Sequence, residues 1–270
     1  MSVLVRALLG LAAVTPLAGS VPRSPRFYEL CPADGGGARE LERLTRSWVG
    51  APYLRSPLGE EAPPDLDPRF RLDAFDCTTF VETALALSRC RLGASALAEL
   101  DAIRYADAAP SFETRRHLAT SQWVPELVKA GLLVDISDEL GGPVTLKVPL
   151  RMSLRRWRRR RIARTLDLPE ARVPIGVFAL DVIPLERAMA VAEKIPSGTV
   201  LNLVRVDWVL SPDLITHQGL VLDRGAQKIL RHASPDRGRV VDEPLARALA
   251  RWRAAKKKWP IAGVSLLRVR

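Results

Sequence analysis

From Val173 to the C-terminus the chain is a succession of short runs rich in β-branched and apolar residues: Ile175–Val182, Val200–Val209, Ile215–Leu222, Gln227–His232 and Ile261–Val269. Turn-forming clusters at Pro196-Ser197-Gly198, Ser211-Pro212-Asp213 and Asp223-Arg224-Gly225 separate them, so neighbouring runs are expected to pair antiparallel. The first half shows no such succession. Leu41 to Val49 is a short amphipathic helix stopped by Gly50 and Pro52, and the proline-rich stretch Ser56–Arg69 is a loop. A helix is expected over Ser95–Ala106, another after Pro125, and one over Glu243–Arg253 before the final strand. Helices first and mostly antiparallel strands afterward specify an α+β fold, and 270 residues suffice for one domain with an insertion.

One helix carries an unusual start. In Phe75-Asp76-Cys77-Thr78-Thr79-Phe80-Val81-Glu82 a polar break gives way to an apolar stripe through Phe80, Ala84, Leu85 and Leu87. Asp76 is a good N-cap, which puts Cys77 in the first turn of a buried helix. Free N–H groups and the positive end of the helix dipole favour a thiolate at that point, and the thiolate is the nucleophilic form. A small core cysteine is the ordinary alternative.

A nucleophilic cysteine needs a base within hydrogen-bond reach and a third group to orient that base. The chain has only three histidines. His217 lies inside an apolar strand in Thr216-His217-Gln218-Gly219, and His232 ends the next strand in Arg231-His232-Ala233-Ser234. If Asp223-Arg224-Gly225 is a hairpin turn, the two face each other across the ladder. The third, His117, sits in a polar loop, Ser111–Gln122, just before Trp123. No zinc signature such as His-Glu-x-x-His occurs, and no metal or other cofactor is expected.

Residues 1–20 read as a secretory signal: Arg6 as the basic region, Ala7–Val14 as the apolar one, and Ala18-Gly19-Ser20 as the small residues for cleavage. An exported, envelope-associated protein is therefore expected, with a Pro-, Arg- and Gly-rich arm over residues 21–40 and the domain over 41–270. Cys77 and Cys90, on one helix, would stand about 20 Å apart and cannot pair. In an oxidising compartment, Cys31 with Cys90 is the one bridge that leaves Cys77 free. The formal net charge of +11 points to polyanionic surroundings. Much of it sits in Leu154–Arg164, within a stretch of residues 141–172 read as a basic insertion or surface helix outside the core. Arg155 to Arg164 could dock on an anionic wall polymer or membrane. Nucleic acid is not an expected partner of an exported protein.

In order along the chain, Gly50-Ala51-Pro52-Tyr53, Phe75 to Glu82, Arg116-His117 with Trp123, His217-Gln218-Gly219 and His232-Ala233-Ser234 resemble the NlpC/P60 cysteine peptidases of bacterial cell walls. The closer match is to their amidase-like DUF1460 branch. The resemblance covers about Leu41 to Leu249. It implies a papain-like α+β fold and hydrolysis of an amide in peptidoglycan or its fragments, in that branch the bond between N-acetylmuramic acid and L-alanine. It further implies Cys77 as nucleophile, His217 as base and His232 as its orienting partner, with Tyr53, Asp76, His117 and Trp123 toward the substrate. A peptidase cutting within the stem peptide, or a non-catalytic wall-binding protein, are the alternatives that keep the same fold.

Overall fold

The computed structural model describes residues 38–90, 95–255 and 258–269. The expected signal segment lies outside them, as does all of the expected arm except its last three residues. Those residues belong to the first helix, α1 (Ala38–Arg46).

Three helices follow in the first half: α2 (Cys77–Arg89), α3 (Ala96–Arg104) and α4 (Val124–Lys129), the last entered through a π-helical turn at Ala119–Trp123. A first short strand, β1 (Leu133–Asp135), leads to α5 (Ser137–Gly141), β2 (Leu146–Met152), and the small helices α6 (Leu154–Arg158) and α7 (Arg161–Leu166). The remainder is β3 (Gly176–Val182), α8 (Leu185–Val191), β4 (Thr199–Arg205), β5 (Ile215–Arg224), β6 (Gln227–Ser234), β7 (Arg239–Pro244), α9 (Leu245–Ala254) and β8 (Ile261–Val269).

Six strands form one sheet in the order β1-β8-β4-β5-β6-β7, and every neighbouring pair is antiparallel. The mixed α and β composition with an antiparallel sheet therefore agrees with the reading from sequence. The two-residue alternation of the strands divides the core. Val200, Val204, Leu220, Leu222 and Ile229 face the layer holding α2 and α3, whereas Leu201, Leu203, Val221, Leu230 and Leu266 face α8 and α9. The central strand β4 is accordingly buried along its whole length. A separate ribbon, β2 with β3, joins this sheet where Ile183 and Val264 exchange backbone hydrogen bonds of 2.8 and 2.9 Å. Gly263 permits that approach, since a Cβ there would lie 2.1 Å from the Ile183 carbonyl oxygen.

The reading of residues 141–172 as lying outside the core is corrected. Leu150, Met152, Trp157 and Leu168 are buried in the main hydrophobic cluster, and Val148, Leu150 and Met152 alternate inward along β2. The arginines do not form one solvated face either. Arg156 binds Asp207, Arg158 binds Glu170, and Arg160 is buried, while Arg155, Arg159 and Arg164 face solvent. Cys90 closes α2 and is disulfide-bonded, and Cys77 is free. Cys31, the partner expected for Cys90, lies outside the described residues.

Candidate active site

Asp76 caps α2 as a full capping box. Its carboxylate accepts the Thr79 N–H at 2.7 Å, and its own N–H donates to the Thr79 hydroxyl at 3.0 Å. Its second oxygen accepts the Ser56 N–H at 2.9 Å, which pins the preceding loop to the helix start. Both carboxylate oxygens are thus engaged within the protein, so Asp76 acts here as a positioning group. The cap uses the Thr79 N–H and leaves those of Cys77 and Thr78, which have no intrahelical acceptor, at the open end of the helix.

Cys77 meets the sheet where the β5–β6 ladder stops. The paired register runs from Leu220 with Arg231 to Arg224 with Gln227, so the N–H of Gln218 lies beyond it and donates to the Cys77 sulfur. Burial pushes the thiol up to about 11, with the Asp76 carboxylate adding in the same direction. The expected preference for a thiolate is therefore reversed in the resting protein: loss of hydration outweighs the helix N-terminus and the hydrogen bonds from Gln218 and Thr78.

His217 and His232 do come together. His217 Nε2 lies 2.7 Å from His232 Nδ1, and the rings stand edge to face with centroids 4.7 Å apart. Gly219 makes the meeting possible. A Cβ at that position would sit 2.9 Å from His232 Cβ and 3.1 Å from the Arg231 carbonyl oxygen. The glycine of His217-Gln218-Gly219 thus lets the His232 backbone and Cβ lie close against β5. Burial and the neighbouring His232 push the His217 imidazole down to about 3, so it is neutral at ordinary pH. Trp252 of α9 packs edge-on against it at 6.3 Å.

Cys77 and His217 line one cavity of about 230 Å³, together with Thr78, Arg116, His117 and Trp123. The indole Nε1 of Trp123 is buried without a hydrogen-bond partner. His117 gives its Nε2 to the Phe112 carbonyl at 2.7 Å, and burial holds its imidazole down at about 4. Thr78, Arg116 and His117 also line a neighbouring polar pocket at the start of α2 with Asp76, Glu82 and Arg115. Tyr53 is half-buried beside it. Its phenol is pushed up to about 12 by burial first, then by its neighbours Cys77 and Asp76. Asp76, Cys77, His117, Trp123 and His217 therefore lie around one helix start with Tyr53 beside them, and His232 stands behind His217. Among the described residues no group of three or more His, Cys, Asp or Glu is arranged to hold a metal ion.

Asp213 is a further anchor of the site that the sequence does not mark. Its carboxylate accepts the N–H groups of Ala119, Thr120 and Ile215 and the hydroxyl of Thr120, which ties the π-helical turn before α4 to the start of β5. Burial pushes it above the usual carboxylate range, against those four donors. In sequence it is only the third residue of a Ser-Pro-Asp turn, with nothing to mark a contact more than ninety residues away.

Comparison with solved structures gives this fold repeatedly. A Legionella pneumophila protein of the DUF1460 family model superposes with a TM-score of 0.75 at 24% identity, covering 86% of this chain and 88% of its own. An N-acetylmuramoyl-L-alanine amidase from Bacteroides uniformis follows at 0.63 and 20% identity, covering 86% of this chain and 98% of its own. A putative xylanase from Bacteroides fragilis reaches 0.63 at 23% identity, covering 83% of this chain and 98% of its own. No curated protein matches. Residues 43–254 match the AmiA-like family model, described as N-acetylmuramoyl-L-alanine amidase-like, and the chain belongs to that family.

Proposed function

We propose that this protein is a cysteine amidase of the NlpC/P60 type, with the papain-like arrangement that name implies, which hydrolyses the amide between N-acetylmuramic acid and L-alanine in peptidoglycan fragments. The observation that carries the reading is Cys77 at a capped helix start, sharing one cavity with a His217 whose far nitrogen is held at 2.7 Å by His232. Membership of an amidase-like family supplies the bond type.

The chemistry follows from a neutral pair. His217 Nε2 is taken by His232, which leaves Nδ1 for the thiol. As the Cys77 sulfur attacks the carbonyl carbon, its proton passes to His217 Nδ1, so the thiolate forms only when a substrate is in place to use it. The N–H groups at the start of α2 receive the oxyanion, and each such donor contributes about 10²–10³ in rate. His217 then returns the proton to the leaving amine as the carbon–nitrogen bond breaks. It next takes a proton from water, whose oxygen attacks the thioester and releases the acid, restoring the thiol. Tyr53, His117 and the unpartnered Trp123 indole N–H are the groups we assign to substrate contacts, with Asp76 holding the helix start that presents them.

Export to the cell envelope belongs to the same proposal and rests on the pattern of residues 1–20. So does docking of the solvent-facing arginines of Arg155–Arg164 on an anionic wall or membrane surface. The test is digestion of purified muropeptides, read by mass spectrometry. Release of a free saccharide acid together with a peptide beginning at L-alanine is expected. Cleavage between stem-peptide residues would reassign the bond, and intact muropeptides would remove the enzyme reading.

A further inference from the structure

Behind the two histidines lies a second cavity, of about 380 Å³, which His232 lines and Cys77 and His217 do not. Its charged walls are Asp236, Arg237, Asp242, Glu243, Arg247 and Arg251. His232 Nδ1 is occupied by His217, and its Nε2 is buried with no hydrogen-bond partner. The carboxylate within ion-pair range of that nitrogen is Glu243, with Oε2 at 3.7 Å. Glu243 is itself held in a two-point grip by Arg251 of α9, at 3.2 and 2.8 Å. The preceding residue, Asp242, turns to Arg231 instead, as strand alternation requires.

We propose that Glu243 is a positioning residue of the catalytic chain, fixing the tautomer of His232 and, through it, that of His217. The inference rests on the reading of Cys77 and His217 as nucleophile and base. For His217 Nδ1 to accept the thiol proton, the proton of the neutral ring must sit on Nε2. That N–H then donates to His232 Nδ1, which must be bare. Neutral His232 therefore carries its proton on Nε2, aimed at Glu243. An ionised carboxylate is an acceptor only, so it favours this tautomer and disfavours the reverse. The His232 ring beside it and the two-point grip of Arg251 hold the Glu243 carboxyl down at about 2. It stays ionised and takes no proton when His217 becomes cationic. The 3.7 Å gap is a resting-state length, and such contacts shorten once charge develops.

The test uses the whole protein, wild type and with Glu243→Leu or Glu243→Gln. With only three histidines, long-range proton–nitrogen NMR spectra give each ring's tautomer separately, assigned by single histidine removals. The wild type is expected to show His232 protonated on Nε2 alone. Glu243→Leu should show a mixture, and Glu243→Gln, whose amide oxygen still accepts, should restore most of the Nε2–H form. On muropeptide, Glu243→Leu should lower kcat about tenfold or more with KM unchanged. A folded Glu243→Leu protein whose His232 tautomer matches the wild type would overturn the proposal. Because the tautomers are read without turnover, this outcome is separate from any failure of the wild type to cleave muropeptides.

Discussion

Asp213 and His232 are polar groups at the edge of the candidate site, the first half-buried and the second buried, and they are bonded in opposite ways. Asp213 has four donors on two oxygens and fastens the wall that carries His117 and Trp123. His232 has one bond, to His217, and its other nitrogen stops 3.7 Å short of a carboxylate. A saturated carboxylate is a fixed strut, since removing it leaves several buried donors unpaired at once. A half-bonded imidazole is a link whose bonds can redistribute as a proton moves. Under the proposed mechanism, the difference separates residues that build the cavity from residues that work in it.

That separation can be broken most severely at His217. Replacing it with Ala is expected to lower kcat by about 10³-fold or more while the melting temperature changes little, because the base is lost and the strand is not. His232→Ala should lose less, since an orienting group is more dispensable than the base it orients. Equal losses would mean that the two rings act as one unit.

Asp213→Ala should do the reverse. We expect about 3 kcal/mol of destabilisation in urea unfolding, with turnover per folded molecule reduced far less than in His217→Ala. A fully stable Asp213→Ala protein would end its role as a strut.

Stability against pH sharpens the same contrast. The folded-state values of His217 and His117, about 3 and about 4, lie below the ordinary imidazole value of 6.5. The unfolded chain therefore binds more protons between those limits. Above pH 6.5 the stability is fully present, and it is lost as the pH falls toward the folded values, by at most about 1.4 kcal/mol per pH unit for each histidine. His217→Gln should flatten that slope. An unchanged slope would show that the imidazole is not held neutral.

The smallest effect on turnover is expected from Arg155, Arg159 and Arg164, which face solvent away from any ion pair described above. Changing all three to Gln should leave hydrolysis of soluble fragments unaltered and weaken low-salt sedimentation with intact wall, an attraction screened over about 10 Å at 0.1 M salt. Loss of both would place the segment in the fold.

The parts of this molecule that sequence makes legible are those written in local patterns. Asp76 to Glu82 carries a cap and an apolar stripe, and β5, the Gly225 turn and β6 carry alternation and a hairpin break, so Cys77 and both strand histidines could be picked out. The failures are cases where a distant partner decides. β7, Arg-Val-Val-Asp-Glu-Pro, is too charged to read as a strand because it is an edge strand whose Asp242 and Glu243 serve Arg231 and His232. Glu243 consequently looks, from sequence, like the start of a helix. β2 does alternate, but the arginine run behind it masked the pattern, and burial of Trp157 and Arg160 among charges has no local signal. The same holds for the thiol of Cys77: its helix start is visible in sequence, and the burial that reverses its charge preference is not.

Cys77 bears on all of this most directly. Purified wild-type and Cys77→Ala proteins, matched by circular dichroism and melting temperature, would be given the same muropeptide and the products weighed. The account predicts amide hydrolysis by the wild type alone, with the variant folded and inactive. Hydrolysis by Cys77→Ala at a rate near the wild type would contradict it.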